Sequence, residues 1–142
     1  MIHFIVASHG PYARALLESS RMVYGELSHV RTVTLDEQRG IEGFKQDFAA
    51  VMAAAREGAD GVLVLCDMQS GTPWNVACHY AFSPDCTPPV AVLAGVNLPM
   101  LLLSDEVTEH TDVDTAATLL LEMAQPTLVK AAPVSSLTPD DF

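Results

Sequence analysis

Basic residues are scarce in this chain of 142 residues. Seven Lys plus Arg stand against 18 Asp plus Glu, which gives a formal net charge of −11 at pH 7. A nucleic-acid backbone or an anionic membrane surface would repel such a protein, so the balance argues against both as partners. A basic protein surface would be attracted, and the acidic residues between 105 and 114 are either a solvated face or part of the attracting field.

Cysteines are also few. Cys66, Cys78 and Cys86 are odd in number, lack CxxC spacing and are accompanied by no secretory signal, which favours reduced thiols in a cytoplasm. The longest apolar stretch, 90–103, is interrupted by Asn and Pro and falls short of the roughly 20 residues that cross a bilayer. This stretch is therefore expected to lie in a core.

Motifs for nucleotides and metals are missing as well. The chain contains no Walker loop, no GxGxxG segment and no HExxH pair, and its polar loops lack the Lys or Arg that a nucleotide kinase places over phosphates. His79 adjoins Cys78, but no third ligand has suitable spacing, so His79 is interpreted as a helix-surface or packing residue. We expect neither a metal nor a cofactor.

Apolar runs alternate with amphipathic segments along the chain. With 49% hydrophobic residues, it can bury the core of a single domain. The predicted strands are 2–7, 30–35, 61–66 and 90–94, and the predicted helices are 11–24, 39–57, 73–81, one opened by Pro99 and one after Asp112. This pattern predicts an α/β fold, an open and mainly parallel sheet in the order 2-1-3-4 with helices on both faces. The domain is placed at 1–125, and 126–142 is assigned to an extra edge strand, a tail or both.

Polar loops follow the first and the third predicted strand. Ser8-His9-Gly10 ends the first, and the segment 67–73, Asp-Met-Gln-Ser-Gly-Thr-Pro, ends the third. The strand order reverses between these two strands, and ligands of open α/β folds bind at such a switch point. Paired strands lie about 4.8 Å apart, so we expect His9 and Asp67 to meet.

These two loops carry the groups for a phosphohistidine site without a metal. A neutral imidazole acts as a nucleophile when one ring nitrogen holds the proton, and the carboxylate of Asp67 would fix that tautomer and stabilise the cation formed on attack. Ser70 and Thr72 offer hydroxyls. The backbone N–H groups of Gly71 and Thr72, near the helix opened by Pro73, favour a bound phosphate.

Plainer interpretations exist for the same residues. A histidine after a strand is more often an ordinary polar loop residue than a nucleophile. Asp67 and Thr72 each suit the N-cap of the following helix, and Thr72 can fill both roles. Arg14 lies one turn into the first helix and could reach back to the loops. A regulatory or binding domain without catalysis also fits.

Three segments are similar to one known family. They are 5–10 (Ile-Val-Ala-Ser-His-Gly), 65–77 (Leu-Cys-Asp-Met-Gln-Ser-Gly-Thr-Pro-Trp-Asn-Val-Ala) and 95–100 (Gly-Val-Asn-Leu-Pro-Met). Together they resemble the mannose-family EIIA component of the bacterial phosphoenolpyruvate-dependent sugar phosphotransferase system. One such motif would be weak evidence, but three in the right order are strong.

The resemblance implies a homodimeric cytoplasmic phosphotransfer protein. His9 would take a phosphoryl group on Nε2 from the phosphocarrier protein HPr, while Asp67 holds Nδ1. His9 would then pass the group to the EIIB component, which phosphorylates a sugar entering through the membrane components EIIC and EIID. The residues expected around the phosphoryl group are Gly10, Ser70, Gly71 and Thr72.

The chain also departs from the family. Members more often have Gly-Gly before the Ser or Thr, whereas this chain has Ser70-Gly71, so a side chain enters the site where it would tune rate or partner choice. Trp74 stands where Phe or Leu is commoner, and the sequence after Gln125 has no clear match. The sugar is not encoded here, because sugar contacts lie in the membrane components.

Two alternative functions share a histidine at this position. The phosphotransfer subunit of a dihydroxyacetone kinase has the same fold and a matching histidine. A histidine phosphatase also places its nucleophile after the first strand, but it requires an arginine where this chain has Ser8, together with a second catalytic histidine.

Overall fold

The structure, a computed structural model, describes residues 1–133. Its strands and helices alternate: β1 Ile2–His9, α1 Tyr12–Val23, β2 Val30–Leu35, α2 Gly40–Arg56, β3 Gly61–Cys66, α3 Thr72–Ala81, β4 Val90–Ala94, α4 Leu98–Leu103 and α5 Val113–Ala124. Short 3-10 turns cover Ser104–Val107 and Gln125–Thr127. The predicted α/β class is confirmed.

The four strands form one parallel sheet in the order β2-β1-β3-β4, as predicted. All six residues of β3 are buried, because helices cover both faces of a sheet built from βαβ units. β1 continues two residues beyond its predicted end, so that His9 is its last residue and pairs with Leu35 of β2. The carboxyl ends of β1 and β3 therefore lie side by side.

Two separate cores lie on the two faces of the sheet. Phe4 and Val6 of β1 pack with residues of α1, α4 and α5 on one face. Ile5 and Ala7 pack on the other face with α2 and α3, where Phe44 supplies much of the aromatic surface. Successive residues of a strand point to opposite faces, so the apolar run of β1 contributes to both cores.

Side chains cap the first turns of the last two helices. The side chain of Asn97 closes the turn before α4 by accepting a hydrogen bond from the N–H of Met100 at 3.0 Å. Asp112 caps α5 by accepting from the N–H of Thr115 at 3.2 Å. Both are N-cap side chains that satisfy an unpaired donor of a first helical turn.

The segment after α5 differs from the expectation of a further edge strand over its described part. Pro126 lies in a 3-10 turn, and 128–133 contains no strand. Residues 134–142, the remainder of the predicted strand or tail, lie outside the described residues. β4 is thus an edge of the sheet in the part of the chain that the structure describes.

No helix within 1–133 combines the length and the apolar character needed to traverse a bilayer.

Candidate functional site

His9 and Asp67 meet at the carboxyl edge of the sheet. The Nδ1 atom of His9 lies 2.8 Å from Oδ2 of Asp67, and the same oxygen accepts the backbone N–H of His9 at 3.0 Å. The other oxygen, Oδ1, accepts the N–H of Met68 at 3.1 Å. The histidine side chain is 42% exposed and the aspartate side chain 16%. A partner can therefore reach the imidazole while the carboxylate stays shielded beneath it.

The Asp67 contact determines which nitrogen of His9 can react. An ionised carboxylate only accepts hydrogen bonds, so Nδ1 carries the ring proton and Nε2 keeps a free lone pair. Within residues 1–133, Nε2 has no hydrogen-bond partner. In the neutral imidazole, the free lone pair is therefore on Nε2, the ring nitrogen that Asp67 does not contact.

Gly71 packs against the free nitrogen of His9. A Cβ atom built on Gly71 would lie 2.8 Å from Nε2 and 2.9 Å from Cε1 of the ring. Its φ of 94° is in the left-handed region, which side-chain-bearing residues rarely adopt. The backbone after β3 therefore passes close to Nε2, with no room for a side chain between them.

The start of α3 supplies donors beside this nitrogen. The first hydrogen bond of the helix runs from the N–H of Asn75 to the carbonyl of Gly71, at 3.0 Å. The N–H groups of Gly71 and Thr72 have no partner among the residues described. Unpaired N–H groups and the helix dipole together favour an anion at this end.

The expectation that Thr72 caps α3 was wrong. Gly71 takes the N-cap position, Thr72 is the first helical residue, and Pro73 follows as the second. Asp67 does not cap the helix either, because its oxygens bind His9 and Met68. The left-handed backbone at Gly71 allows the helix to begin one residue earlier than a threonine cap would.

Ser70 and Gly10 flank the site in different ways. The Ser70 side chain is exposed and makes no hydrogen bond within 1–133. The N–H of Gly10 donates to the carbonyl of Leu35 at 2.8 Å, so this donor is already used by the strand pairing. With a φ of 58°, Gly10 contributes the sharp turn that follows His9.

Tyr12, which no sequence motif indicated, connects the start of α1 with the loop after β4 at this edge. Its hydroxyl donates to the carbonyl of Val96 at 2.6 Å, which ties the start of α1 to the loop after β4. Asn97 belongs to the same loop. No sequence spacing rule connects a tyrosine hydroxyl with a carbonyl 84 residues away.

Other candidates lie away from the site. Arg14 borders a depression beside β2 with Thr32 and Asp47, and it makes no hydrogen bond to the His9 loop among the described residues. Trp74 is half-buried against the core on the α2 and α3 face. The side chain of His29 is buried, and this burial lowers the pKa of His29, which favours a neutral packing residue.

The acidic residues between 105 and 114 lie at the opposite end of the sheet from His9. Val113 sits against Gly61, the first residue of β3, whereas His9 ends β1. The eight residues of β1 span about 25 Å at roughly 3.3 Å each, well beyond a Debye length of about 8 Å in physiological salt. These carboxylates contribute little field at His9.

Residues 1–133 contain no group of three or more His, Cys, Asp or Glu side chains placed to hold a metal ion. The groups that meet at the site are the imidazole of His9, the carboxylate of Asp67 and the start of α3.

Comparison with known proteins gives one consistent result. The EIIA-man family, described as PTS system fructose IIA component, matches residues 3–121. The fructose-specific EIIA component of Bacillus subtilis is 33% identical over 125 residues, 88% of this chain and 83% of that protein. The mannose-specific EIIAB component of Escherichia coli is 28% identical over 97% of this chain and 42% of that protein. The solved mannose/sorbose specific IIA subunit of Enterococcus faecalis superposes with a TM-score of 0.77 at 31% identity, covering 96% of this chain and 98% of that one.

Proposed function

Because the chain belongs to the EIIA-man family and is thus an EIIA component of a sugar-uptake phosphotransferase system, we propose that His9 carries the phosphoryl group. The observation that supports this most strongly is the bond between Nδ1 and Asp67, which leaves Nε2 as the nucleophile. Gly71, whose N–H is unpaired among the described residues and is followed by the unpaired N–H of Thr72, lies close to this nitrogen.

The transfer would proceed by attack of Nε2 on the phosphorus of a donor phosphohistidine. The lone pair of Nε2 forms the new P–N bond, the P–N bond of the donor breaks, and its electron pair returns to the donor imidazole. Nδ1 keeps its proton, and the carboxylate of Asp67 stabilises the positive charge that develops on the His9 ring. N–H groups of Gly71 and Thr72 and the hydroxyls of Ser70 and Thr72 donate to the phosphoryl oxygens.

The partners in this proposal are HPr, which donates the phosphoryl group, and EIIB, which accepts it. The membrane components EIIC and EIID depend on this transfer indirectly. The transfer takes place at the cytoplasmic side of the membrane. The His9 side chain is 42% exposed at the edge of the sheet, so the surface of a partner protein can reach it. The Escherichia coli relative named EIIAB matches this chain over 42% of its length, which supports an EIIB partner. Neither a dihydroxyacetone kinase subunit nor a histidine phosphatase gains support from any observation here.

Labelling tests the function directly. The full chain is incubated with phosphoenolpyruvate, enzyme I and HPr, and its bound phosphate is assayed for acid lability and base stability. We expect an acid-labile, base-stable phosphate that an added mannose-type EIIB removes, and none when HPr is left out. An unlabelled chain in the presence of active HPr would refute the proposal.

Asp67→Asn is expected to fold normally and to accept phosphate more slowly, by on the order of 100-fold, since an amide no longer enforces the Nδ1–H tautomer. Rapid-quench kinetics with phospho-HPr measure the rate, and circular dichroism measures the melting. Asp114→Asn, at the other end of the sheet, is the control. If Asp67→Asn unfolds at ordinary temperature, the residue is structural, and if it reacts at the normal rate, the tautomer argument is wrong.

The homodimer is also part of the proposal. β4 exposes an edge beside an apolar groove that α3 and α5 line with Trp74, Phe82 and Leu121. A second copy presents the same edge, so a two-fold arrangement covers both. The Phe82 side chain is 82% exposed in the isolated chain, a large apolar surface for such an arrangement to cover.

Light scattering after size exclusion tests the dimer. We expect the unmodified chain to elute as a dimer and Leu121→Arg to shift toward monomer, because the variant places a charge in the groove. Val23→Arg changes an exposed apolar residue of α1 outside the groove and should remain dimeric. If Leu121→Arg stays dimeric, the contact lies elsewhere on the chain. If the unmodified chain is monomeric, the proposed dimer is refuted.

A further inference from the structure

Ser8 directly precedes His9 and is fully buried, although serine is polar. Its hydroxyl makes two hydrogen bonds across the turn that carries the histidine. Oγ accepts from the backbone N–H of Ala13 at 2.8 Å and donates to the carbonyl of Gly10 at 3.4 Å. One side chain thus connects β1, the turn after His9 and the first turn of α1.

The first bond replaces a missing helix cap. Pro11 occupies the N-cap position of α1 and makes no side-chain hydrogen bond to the helix. The first N–H groups of a helix lack partners within it, and a buried donor left unpaired costs free energy. Ser8 supplies the acceptor from the strand, before the chain has turned. The start of α1 is therefore fastened to the residue next to the nucleophile.

The second hydrogen bond, from the Ser8 hydroxyl to the Gly10 carbonyl, holds the chain just after His9. Asp67 holds the N–H and the ring of His9, but it makes no bond to Gly10 or Pro11. The peptide between His9 and Gly10 is instead held by the N–H of Gly10, which donates to the carbonyl of Leu35, and the next peptide, between Gly10 and Pro11, is held by the Ser8 hydroxyl, which donates to the Gly10 carbonyl. Ser8 thereby fixes the part of the turn that Asp67 does not reach.

Small displacements matter at this turn because the backbone at Gly71 passes so near Nε2 that an added Cβ would lie only 2.8 Å from it. Misplacement of a reacting group by about 1 Å can cost on the order of 100-fold in rate. We propose that Ser8 is a positioning residue for phosphoryl transfer, holding the His9 turn so that Nε2 stays aligned with the start of α3. This inference rests on the proposed role of His9.

Ser8→Ala tests the inference in single-turnover transfer from phospho-HPr. We expect the maximal rate to fall by about 10-fold or more. The HPr concentration at half-maximal rate should stay unchanged, since a buried hydroxyl takes no part in docking. Ser8→Thr should restore most of the rate because it returns the hydroxyl. Retention of the normal maximal rate in Ser8→Ala would overturn the inference.

Ser20→Ala is the matched control. Ser20 is also fully buried, lies in α1 and uses its hydroxyl on a backbone carbonyl, that of Leu17 at 2.6 Å. We expect a loss of thermal stability like that of Ser8→Ala with transfer at the normal rate. If both variants slow transfer equally, Ser8 contributes only general stability, and the inference fails.

Nitrogen NMR of the His9 ring separates this inference from the proposed function. In the unmodified chain we expect a protonated Nδ1 whose hydrogen exchanges slowly, and in Ser8→Ala a faster exchange as the turn loosens. Identical ring spectra in the two proteins would count against Ser8. This readout needs no phosphate donor, so a failure of Ser8 to hold the His9 ring can be told apart from a failure of the chain to be labelled.

Discussion

His9→Gln is expected to take up no phosphoryl group from phospho-HPr. The glutamine amide can still donate a hydrogen bond toward Asp67, but it offers no nucleophilic lone pair in place of Nε2. Because the His9 side chain is 42% exposed, the substitution should change the melting temperature little. Acid-labile label after incubation with phosphoenolpyruvate, enzyme I and HPr is the measurement.

His79→Gln is the control for this experiment. His79 is an exposed residue of α3, and its variant should be labelled like the unmodified chain. Labelling of His9→Gln to the normal extent would mean that another histidine accepts the group, and mapping the phosphopeptide would then show which one.

Gly71→Ala is expected to lower the labelling rate by at least about 100-fold, since it moves the reacting nitrogen or blocks the approach to it. The new Cβ would lie 2.8 Å from Nε2 of His9, which is closer than Cβ atoms approach other atoms in real structures. Either the His9 ring or the loop that carries residue 71 must therefore move. The φ of 94° adds a strain of about 1–3 kcal/mol to the folded state. Rapid-quench labelling and urea unfolding measure the two effects separately.

Gly58→Ala is the control that separates the effect of backbone strain from the effect of a Cβ in contact with the His9 ring. Gly58 also has a left-handed φ, 69°, but a Cβ there meets nothing within 4 Å. We expect the control to lose stability and to accept phosphate at the normal rate. If Gly71→Ala behaves like Gly58→Ala, the close approach to Nε2 has no part in the transfer.

The meeting of His9 with Asp67 was predictable because it follows from topology. Two runs that are apolar on both faces had to be central parallel strands, and the reversal of order between them had to bring their carboxyl ends together. No side-chain detail enters that argument. The strand order and the pairing of the two loops could therefore be obtained from the sequence.

The start of α3 could not be predicted in the same way. A threonine before a proline suits an N-cap, and the helix begins earlier because Gly71 adopts a left-handed backbone that leaves Thr72 helical. Whether a glycine uses its conformational freedom depends on what packs around it, here the His9 ring. The contact between Gly71 and Nε2 exists only in three dimensions.

Ser8 is an intermediate case. Ser8 was assigned to the loop after the predicted strand 2–7, but β1 runs on to His9, so Ser8 shares a face with Phe4 and Val6, both of which pack toward α1. The periodicity did not show what a buried hydroxyl would bind, because Ala13 and Gly10 come within reach only after the chain turns.

A single carboxylate oxygen receives both N–H groups of His9, and Asp67 itself donates its N–H to the carbonyl of Ala7 at 3.2 Å. His9 and its carboxylate partner are thus fixed by the register of two central strands, whereas 68–70 lies in an exposed loop. The site consists of one half that cannot shift without breaking the sheet and one half that the sheet does not hold. Ser70 falls in the second half, where a different side chain can change the surroundings of the proposed phosphoryl group without moving His9 or Asp67.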